Sequence, residues 1–170
     1  MRRYDYIVLY LLALVVQMVI TNYFHLTPFI SLSILPVMVL CIPLSKSTIN
    51  AMLIAFATGL ALDVLVEGSY GLNTVAILPI AACRKLIVSM IFGKDHIVRD
   101  EDFSIRKNGI GKVGLAIILA QAIFLFIYIS ADGAGMRPFW FNAARFSASL
   151  AASSLISLAA ATVLTPDDRR

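Results

Sequence analysis

Asp63 is an acidic residue inside a long apolar stretch, residues 48–66. If that stretch spans a membrane, burying the carboxylate is costly, and an acid in such a place is by default a candidate for proton or ion transfer. However, Asp63 precedes Val66 by only three residues, or about 4.5 Å of helical rise, so its carboxylate lies near the end of the stretch. This position favours a structural role, in which Asp63 accepts hydrogen bonds from backbone donors around Gly68 to Asn73, where the chain reverses.

Two basic residues, Arg84 and Lys85, lie inside the next apolar stretch, residues 72–92. Arg84 lies about 18 Å along that stretch, whereas Asp63, in the preceding stretch, lies close to the level at which residues 72–92 begin. The two therefore differ in depth by more than about 10 Å, and no direct salt bridge is expected. Arg84 and Lys85 lie about 10 to 12 Å from the other end of the stretch, and long basic side chains can cover most of that distance by snorkelling. We therefore expect Arg84 and Lys85 to reach towards the membrane surface.

The sequence contains no pattern of a known catalytic or metal site. His25 and His96 are isolated, and Cys41 and Cys83 lie in apolar runs without the paired spacing of a zinc or disulfide framework. There is no Ser-His-Asp order, no His-Glu-x-x-His, no paired carboxylates and no phosphate-binding glycine loop. An enzyme acting inside a membrane would need polar residues clustered around a cavity. The sequence thus predicts a protein that is not an enzyme, with no catalytic residue, cofactor or metal ligand.

The composition is typical of an integral membrane protein. Of the 170 residues, 60% are hydrophobic and 14% are charged, and the mean hydropathy is +0.89. A soluble domain has roughly 25% charged residues, because it must cover a large surface with polar groups. Residues 110–129 are apolar on every face, which indicates helices rather than the alternating strands of a membrane barrel.

Six apolar stretches are candidates for crossing a membrane. The hydrocarbon core is about 30 Å thick and needs roughly 20 apolar residues in a helix, or somewhat fewer where flanking side chains snorkel. We predict an all-α membrane protein, a single transmembrane domain over residues 1–170 that forms a bundle of about six helices. The spans are approximately 6–21, 28–44, 48–66, 72–92, 113–130 and 143–164.

The positive charges predict the orientation of this bundle. With six spans both termini share one side, and that side holds ten of the fourteen Lys and Arg residues: Arg2, Arg3, Lys46, Lys94, Arg99, Arg106, Lys107, Lys112, Arg169 and Arg170. The opposite side holds only Arg137 and Arg145. The positive-inside rule therefore predicts a multi-pass protein with both termini in the cytoplasm. The net charge of +4 reflects topology and membrane lipid, and no interleaving of aromatic and basic residues indicates a nucleic-acid partner.

The last span carries two features suited to contacts. Small residues recur at four-residue spacing in two rows, Ala144, Ala148 and Ala152, and Ser149, Ser153, Ser157 and Ala161. Such rows let helices approach closely, and an internal neighbour is favoured over a partner protein, although both stay open. Near the start of the span, Trp140 lies between two Phe residues, as in an interfacial anchor. A docking patch for a partner is the alternative.

The segment from Gly59 to Asn73, GLALDVLVEGSYGLN, resembles the signature of the MreD family of rod-shape-determining membrane proteins. In that family the third helix ends in Gly-x-x-x-Asp before a short turn and Gly-Leu-Asn. The matching positions are Gly59, Asp63, Gly71 and Asn73, while Glu67, Gly68 and Ser69 occupy the polar turn and Arg84 fits a basic residue later in the fourth helix. In physical terms, Gly59 allows close backbone approach and Gly71 permits the turn, while Asn73 either caps the next helix or already belongs to it.

This resemblance implies a non-enzymatic component of the bacterial inner (cytoplasmic) membrane that belongs to the cell-wall elongation machinery and controls rod shape. Its implied partners are MreC first, then the MreB filament and the peptidoglycan synthases. The sequence departs from the family in Val64 to Glu67, where small polar residues are common, and in a long charged loop at 93–112.

The family is similar in fold to the six-helix substrate-binding subunits of energy-coupling-factor vitamin transporters, so the alternative function is small-molecule capture for transport. A capture subunit should have convergent polar and aromatic groups in its outward loops, for which Glu67, Tyr70, Trp140 and Asn142 are the candidates. Those subunits also resemble one another in an Ala-x-x-x-Ala surface on the first helix. Here the first span has only Ala13, which favours the scaffold.

Overall fold

The computed structural model describes residues 3–24, 30–68, 71–93, 109–133 and 138–164, and this part of the chain is all-helical. Its six α-helices are α1 (Arg3–Phe24), α2 (Leu35–Leu40), α3 (Thr48–Leu62), α4 (Leu72–Phe92), α5 (Ile110–Gly133) and α6 (Phe139–Leu164). A π-helical turn, Asp63–Glu67, prolongs α3. The long charged loop predicted at 93–112 lies mostly outside the described residues.

Within the described residues, four helical segments are long and apolar enough to cross a membrane: Thr48–Val66, Leu72–Phe92, Ile110–Asp132 and Phe139–Leu164. The first helix contributes a shorter apolar stretch, Ile7–Tyr23. Large apolar side chains point outwards, and more than half of the surface of each of Leu11, Leu53, Met90, Phe126 and Leu155 is exposed. Such an apolar exterior suits lipid as the surrounding solvent, and the long apolar helices confirm the coarse prediction of several candidate membrane spans.

The prediction of one continuous helix at 28–44 is wrong. Residues 30–34 are not helical, α2 covers only six residues, and residues 41–47 form turns. The prolines explain the breaks: Pro36 has no N–H and lies in the first turn of α2, while Pro43 disfavours a helical conformation at Ile42. We refer to residues 30–47 as the broken segment. All six side chains of α2 are buried inside the bundle.

The broken segment still passes along the bundle. The first and third helices run in the same direction, because Tyr10 near the start of α1 is hydrogen-bonded to Thr58 (Oη to Oγ1, 2.9 Å). Later residues of both helices, including Met18 and Leu65, line one groove. The chain between these parallel helices must therefore return through the broken segment. Its helix α2 packs against α1, α3, α4, α5 and α6, so the described part of the bundle contains five long helices and one irregular pass.

Candidate functional site

The carboxylate of Asp63 binds the first turn of α4. Its side chain is completely buried. Oδ1 accepts hydrogen bonds from the backbone N–H of Asn73 (2.9 Å) and from its Nδ2 (3.1 Å). Oδ2 accepts from the backbone N–H of Thr74 (3.0 Å) and from its Oγ1 (2.6 Å). The first N–H groups of a helix have no partner within the helix and carry partial positive charge, so Asp63 caps α4 from the end of α3.

Two glycines make this cap possible. A Cβ atom on Gly59 would lie 2.7 Å from the Cα and 2.9 Å from the N of Thr74, so the absence of a side chain lets the start of α4 approach α3. Gly71 is the N-cap of α4 and has a φ of 79°, a left-handed conformation that glycine adopts without strain. Close approach at Gly59 and the turn at Gly71 are therefore as predicted.

Of the two positions predicted for Asn73, the structure shows the helical one. Asn73 is the second residue of α4 and donates its side-chain amide to Asp63 instead of capping the helix itself. The hydrogen bonds from Asn73 to Asp63 are the type predicted for the turn, whereas the contribution of Thr74 was missed. A signal for Thr74 existed, because the third N–H of any helix needs an external acceptor. Glu67 ends the π-helical turn, and its side chain lies outside the described part.

We call Gly59, Asp63, Gly71, Asn73 and Thr74 the α3–α4 joint.

Arg84 does not snorkel, which overturns the prediction for this residue. It is completely buried, and its guanidinium donates to two backbone carbonyls of the broken segment, from Nη1 to Ile42 (2.8 Å) and from Nη2 to Lys46 (3.2 Å). The carbonyls that follow a short helix lack helical donors, and the forked guanidinium can satisfy several of them at once. Asp63 and Arg84 thus bind separate partners, in agreement with their predicted difference in depth.

The serines of α6 bind the non-helical part of the broken segment. Three hydroxyls at four-residue spacing, Ser149, Ser153 and Ser157, are completely buried. The pairs are Ser31 N to Ser149 Oγ (2.9 Å), Ser153 Oγ to Ser31 O (3.2 Å), Ser33 N to Ser153 Oγ (3.2 Å) and Ser157 Oγ to Ser33 O (3.4 Å). The prediction that this row of small residues packs against another part of the same chain is correct. Its neighbour, however, is an irregular backbone rather than a helix.

The geometry of this serine ladder has a simple origin. Four residues of helix rise about 6 Å, and two residues of extended chain rise about 6.6 Å. Hydroxyls one helical turn apart therefore meet every second residue of an extended strand. Backbone groups inside a membrane need such partners because no water is present to bind them.

Two glutamines and an arginine complete the support of the broken segment. Gln17 of α1 accepts from Ile34 N (2.7 Å), and Gln121 of α5 donates to the carbonyl of Ser33 (3.0 Å). Arg145 donates to Ser31 Oγ (2.7 Å) and forms an ion pair with Asp132 (2.5 Å). None of these three roles was predicted from the sequence. The available signal was a single glutamine within each of two apolar stretches, which in lipid must face the interior.

The aromatic residues at the start of α6 point away from the bundle. Trp140 is 82% exposed and Phe139 is 77% exposed, with their ring centroids 6.0 Å apart in an edge-to-face arrangement. This exposure suits either the predicted interfacial anchor or the docking patch. Among the other residues proposed for small-molecule capture, Asn142 is half-buried, while Tyr70 lies outside the described residues.

The described polar side chains of this site mainly bind the protein's own backbone. Within the described ranges, no group of three or more His, Cys, Asp or Glu residues is arranged to hold a metal ion. No known protein-family model, no characterised protein and no solved structure matches this chain. The geometry of the α3–α4 joint and of the broken segment therefore carries the functional argument.

Proposed function

We propose that this protein is a non-enzymatic scaffold of the MreD type, which binds MreC in the bacterial inner membrane and acts with MreB and the peptidoglycan synthases. The observation that carries the proposal is the α3–α4 joint. Gly59, Asp63, Gly71 and Asn73, the residues that carry the resemblance to the MreD family, lie together in it. Because these residues hold the start of α4 against the end of α3, the motif stabilises the fold, as a scaffold requires.

The hydrogen bonding of Asp63 supports a scaffold over a proton or ion carrier. A carboxylate has about four acceptor positions, and Asp63 receives four hydrogen bonds from Asn73 and Thr74. All four donors belong to the protein, so the carboxyl group needs no ligand to satisfy its hydrogen bonds. The joint therefore fixes the angle between α3 and α4, and partners bind to the membrane-embedded surface and the outer loops.

The test is purification of the tagged protein from its native membrane in a gentle detergent, followed by mass spectrometry of the proteins that remain bound. MreC and wall synthases should co-purify with the wild type and be lost with Asp63→Ala. Val64→Ala is a matched control for expression and stability, because Val64 is the next residue and its side chain is 66% exposed. Co-purification of coupling ATPases, together with a tightly bound small molecule, would instead assign the protein to transport.

A further inference from the structure

Two glutamines hold the peptide group between Ser33 and Ile34 from opposite sides. Gln17 accepts from the N–H of Ile34 (2.7 Å), and its Nε2 donates to Thr21 Oγ1 (2.8 Å), so both ends of this amide are bound. Gln121 donates from Nε2 to the carbonyl of Ser33 (3.0 Å). Its Oε1 is buried, and in the described part of the chain no donor reaches this oxygen. Gln121 therefore has an acceptor that the protein leaves unbound.

The Ser33 carbonyl fixes the orientation of the Gln121 amide. Turning the amide over would place Oε1 against that carbonyl, an acceptor opposite an acceptor. Gln121 is completely buried and lies near the middle of α5, about 16 to 18 Å from either end of the helix. An amide oxygen without a donor is costly in such surroundings, and bulk water on either side of the membrane is too distant to bind it.

The donor that binds Gln121 Oε1 must be small and neutral. It must be small because no part of Gln121 is exposed. It must be neutral because a cation buried in a membrane protein needs a counterion. The two acids whose side chains the structure describes are engaged elsewhere, Asp63 by the start of α4 and Asp132 by Arg145. A water molecule meets both conditions, and water is the usual ligand of buried polar atoms that lack a protein partner.

A second partner for this water lies beside the same carbonyl. Ser157 is completely buried, and its Oγ lies 3.4 Å from the carbonyl oxygen of Ser33, whereas hydroxyl groups usually bind oxygen at about 2.7 to 2.8 Å. This long contact is weak, so the hydroxyl can donate to a neighbouring water at little cost. We propose that one water molecule is bound in the middle of the bundle, where it donates to Gln121 Oε1 and accepts from Ser157 Oγ.

This proposal does not depend on the scaffold function, and the chain contains its own control. Gln17 and Gln121 are the only glutamines in the sequence, so isotope labelling of glutamine gives two side-chain amide signals, and Gln121→Met assigns them. Solid-state NMR in deuterated lipid bilayers measures how fast magnetisation passes from water to each amide. Transfer to Gln121 should be several-fold faster than transfer to Gln17, because only Gln121 has a water beside it.

The order of the two rates separates a bound water from general entry of water into the bundle. Gln17 lies seven residues from the end of α1, or about 10 Å, and is thus closer to a helix end than Gln121. Entry of bulk water would therefore make transfer to Gln17 equal or faster, and this result would overturn the proposal. Absence of transfer to Gln121 would overturn it as well. Both outcomes are read from the wild type, so they do not depend on how a variant folds.

A variant of α6 tests the second partner. Ser157→Ala should slow the transfer from water to Gln121 several-fold, because it removes one of the two groups that hold the water. Ser154→Ala is the matched control, since the hydroxyl of Ser154 donates to the carbonyl of Ala151 within the same helix (2.9 Å), and its loss should leave the rate unchanged. Equal rates in the two variants would refute the site as proposed. Unfolding by sodium dodecyl sulfate checks that both variants are folded.

Discussion

Replacing Asp63 by alanine should destabilise the bundle by about 2 to 4 kcal/mol. The substitution removes all four hydrogen bonds between Asp63 and the start of α4. At about 0.6 kcal/mol for each hydrogen bond inside a membrane protein, the loss is about 2 kcal/mol. Leaving two buried backbone N–H groups without an acceptor costs about 1 to 3 kcal/mol each, and removing a buried charge offsets part of that cost. The two estimates of the unfolding free energy that Asp63→Ala loses are therefore similar.

The assay is unfolding of the purified protein by sodium dodecyl sulfate in mixed micelles, followed by circular dichroism. Asp63→Ala should shift the midpoint strongly, and Asp63→Asn, which keeps two of the four acceptor positions, should lose about half as much. Thr74→Val removes one side-chain hydrogen bond and should cost about 1 kcal/mol. Val64→Ala should stay within about 0.5 kcal/mol of the wild type. If Asp63→Ala were as stable as Val64→Ala, the capping role would be refuted.

Three further predictions concern the joint and the broken segment. Gly59→Ala should cost about 1 to 3 kcal/mol in the same assay, because its Cβ would press on the backbone of Thr74; an unchanged midpoint would contradict the close approach. Ser153→Ala removes two contacts with the broken segment and should cost about 1 to 2 kcal/mol, whereas Ser147→Ala, at an exposed serine of the same helix, should cost little; equal losses would refute the serine ladder. Arg84→Ala should cost about 3 kcal/mol, and millimolar guanidinium should restore part of the stability; failure to do so would argue against a carbonyl-binding role.

Most of the α3–α4 joint, apart from Thr74, could be predicted because its parts are close in sequence. Gly59, Asp63, Gly71 and Asn73 lie within fifteen residues, and the need of a helix start for an acceptor follows from backbone chemistry alone. The broken segment was missed because mean hydropathy measures how apolar a stretch is and not whether it is helical. Pro36 and Pro43 were visible signals of the break.

The partners of the broken segment could not be inferred from local pattern. The hydroxyl of Ser153 follows its acceptor in Ser31 by 122 residues, and Gln121 follows Ser33 by 88. Only the packing of the bundle brings these groups together. Arg84 was misread for a related reason. Snorkelling assumes that the membrane surface is the nearest polar environment, whereas the carbonyl groups of an irregular backbone lie within reach inside the protein.

The buried charges and hydroxyls of this bundle follow one physical rule, which explains why they stabilise the fold. In lipid, a backbone that leaves the helix needs a partner from the protein itself. Asp63 supplies acceptors where helix donors are exposed, and Arg84 supplies donors where carbonyls are exposed. Residue types that elsewhere perform chemistry are here engaged by the chain's own backbone. Partners and lipids should therefore recognise the apolar exterior and the two ends of the bundle, so substitutions there should change binding while leaving unfolding midpoints nearly constant.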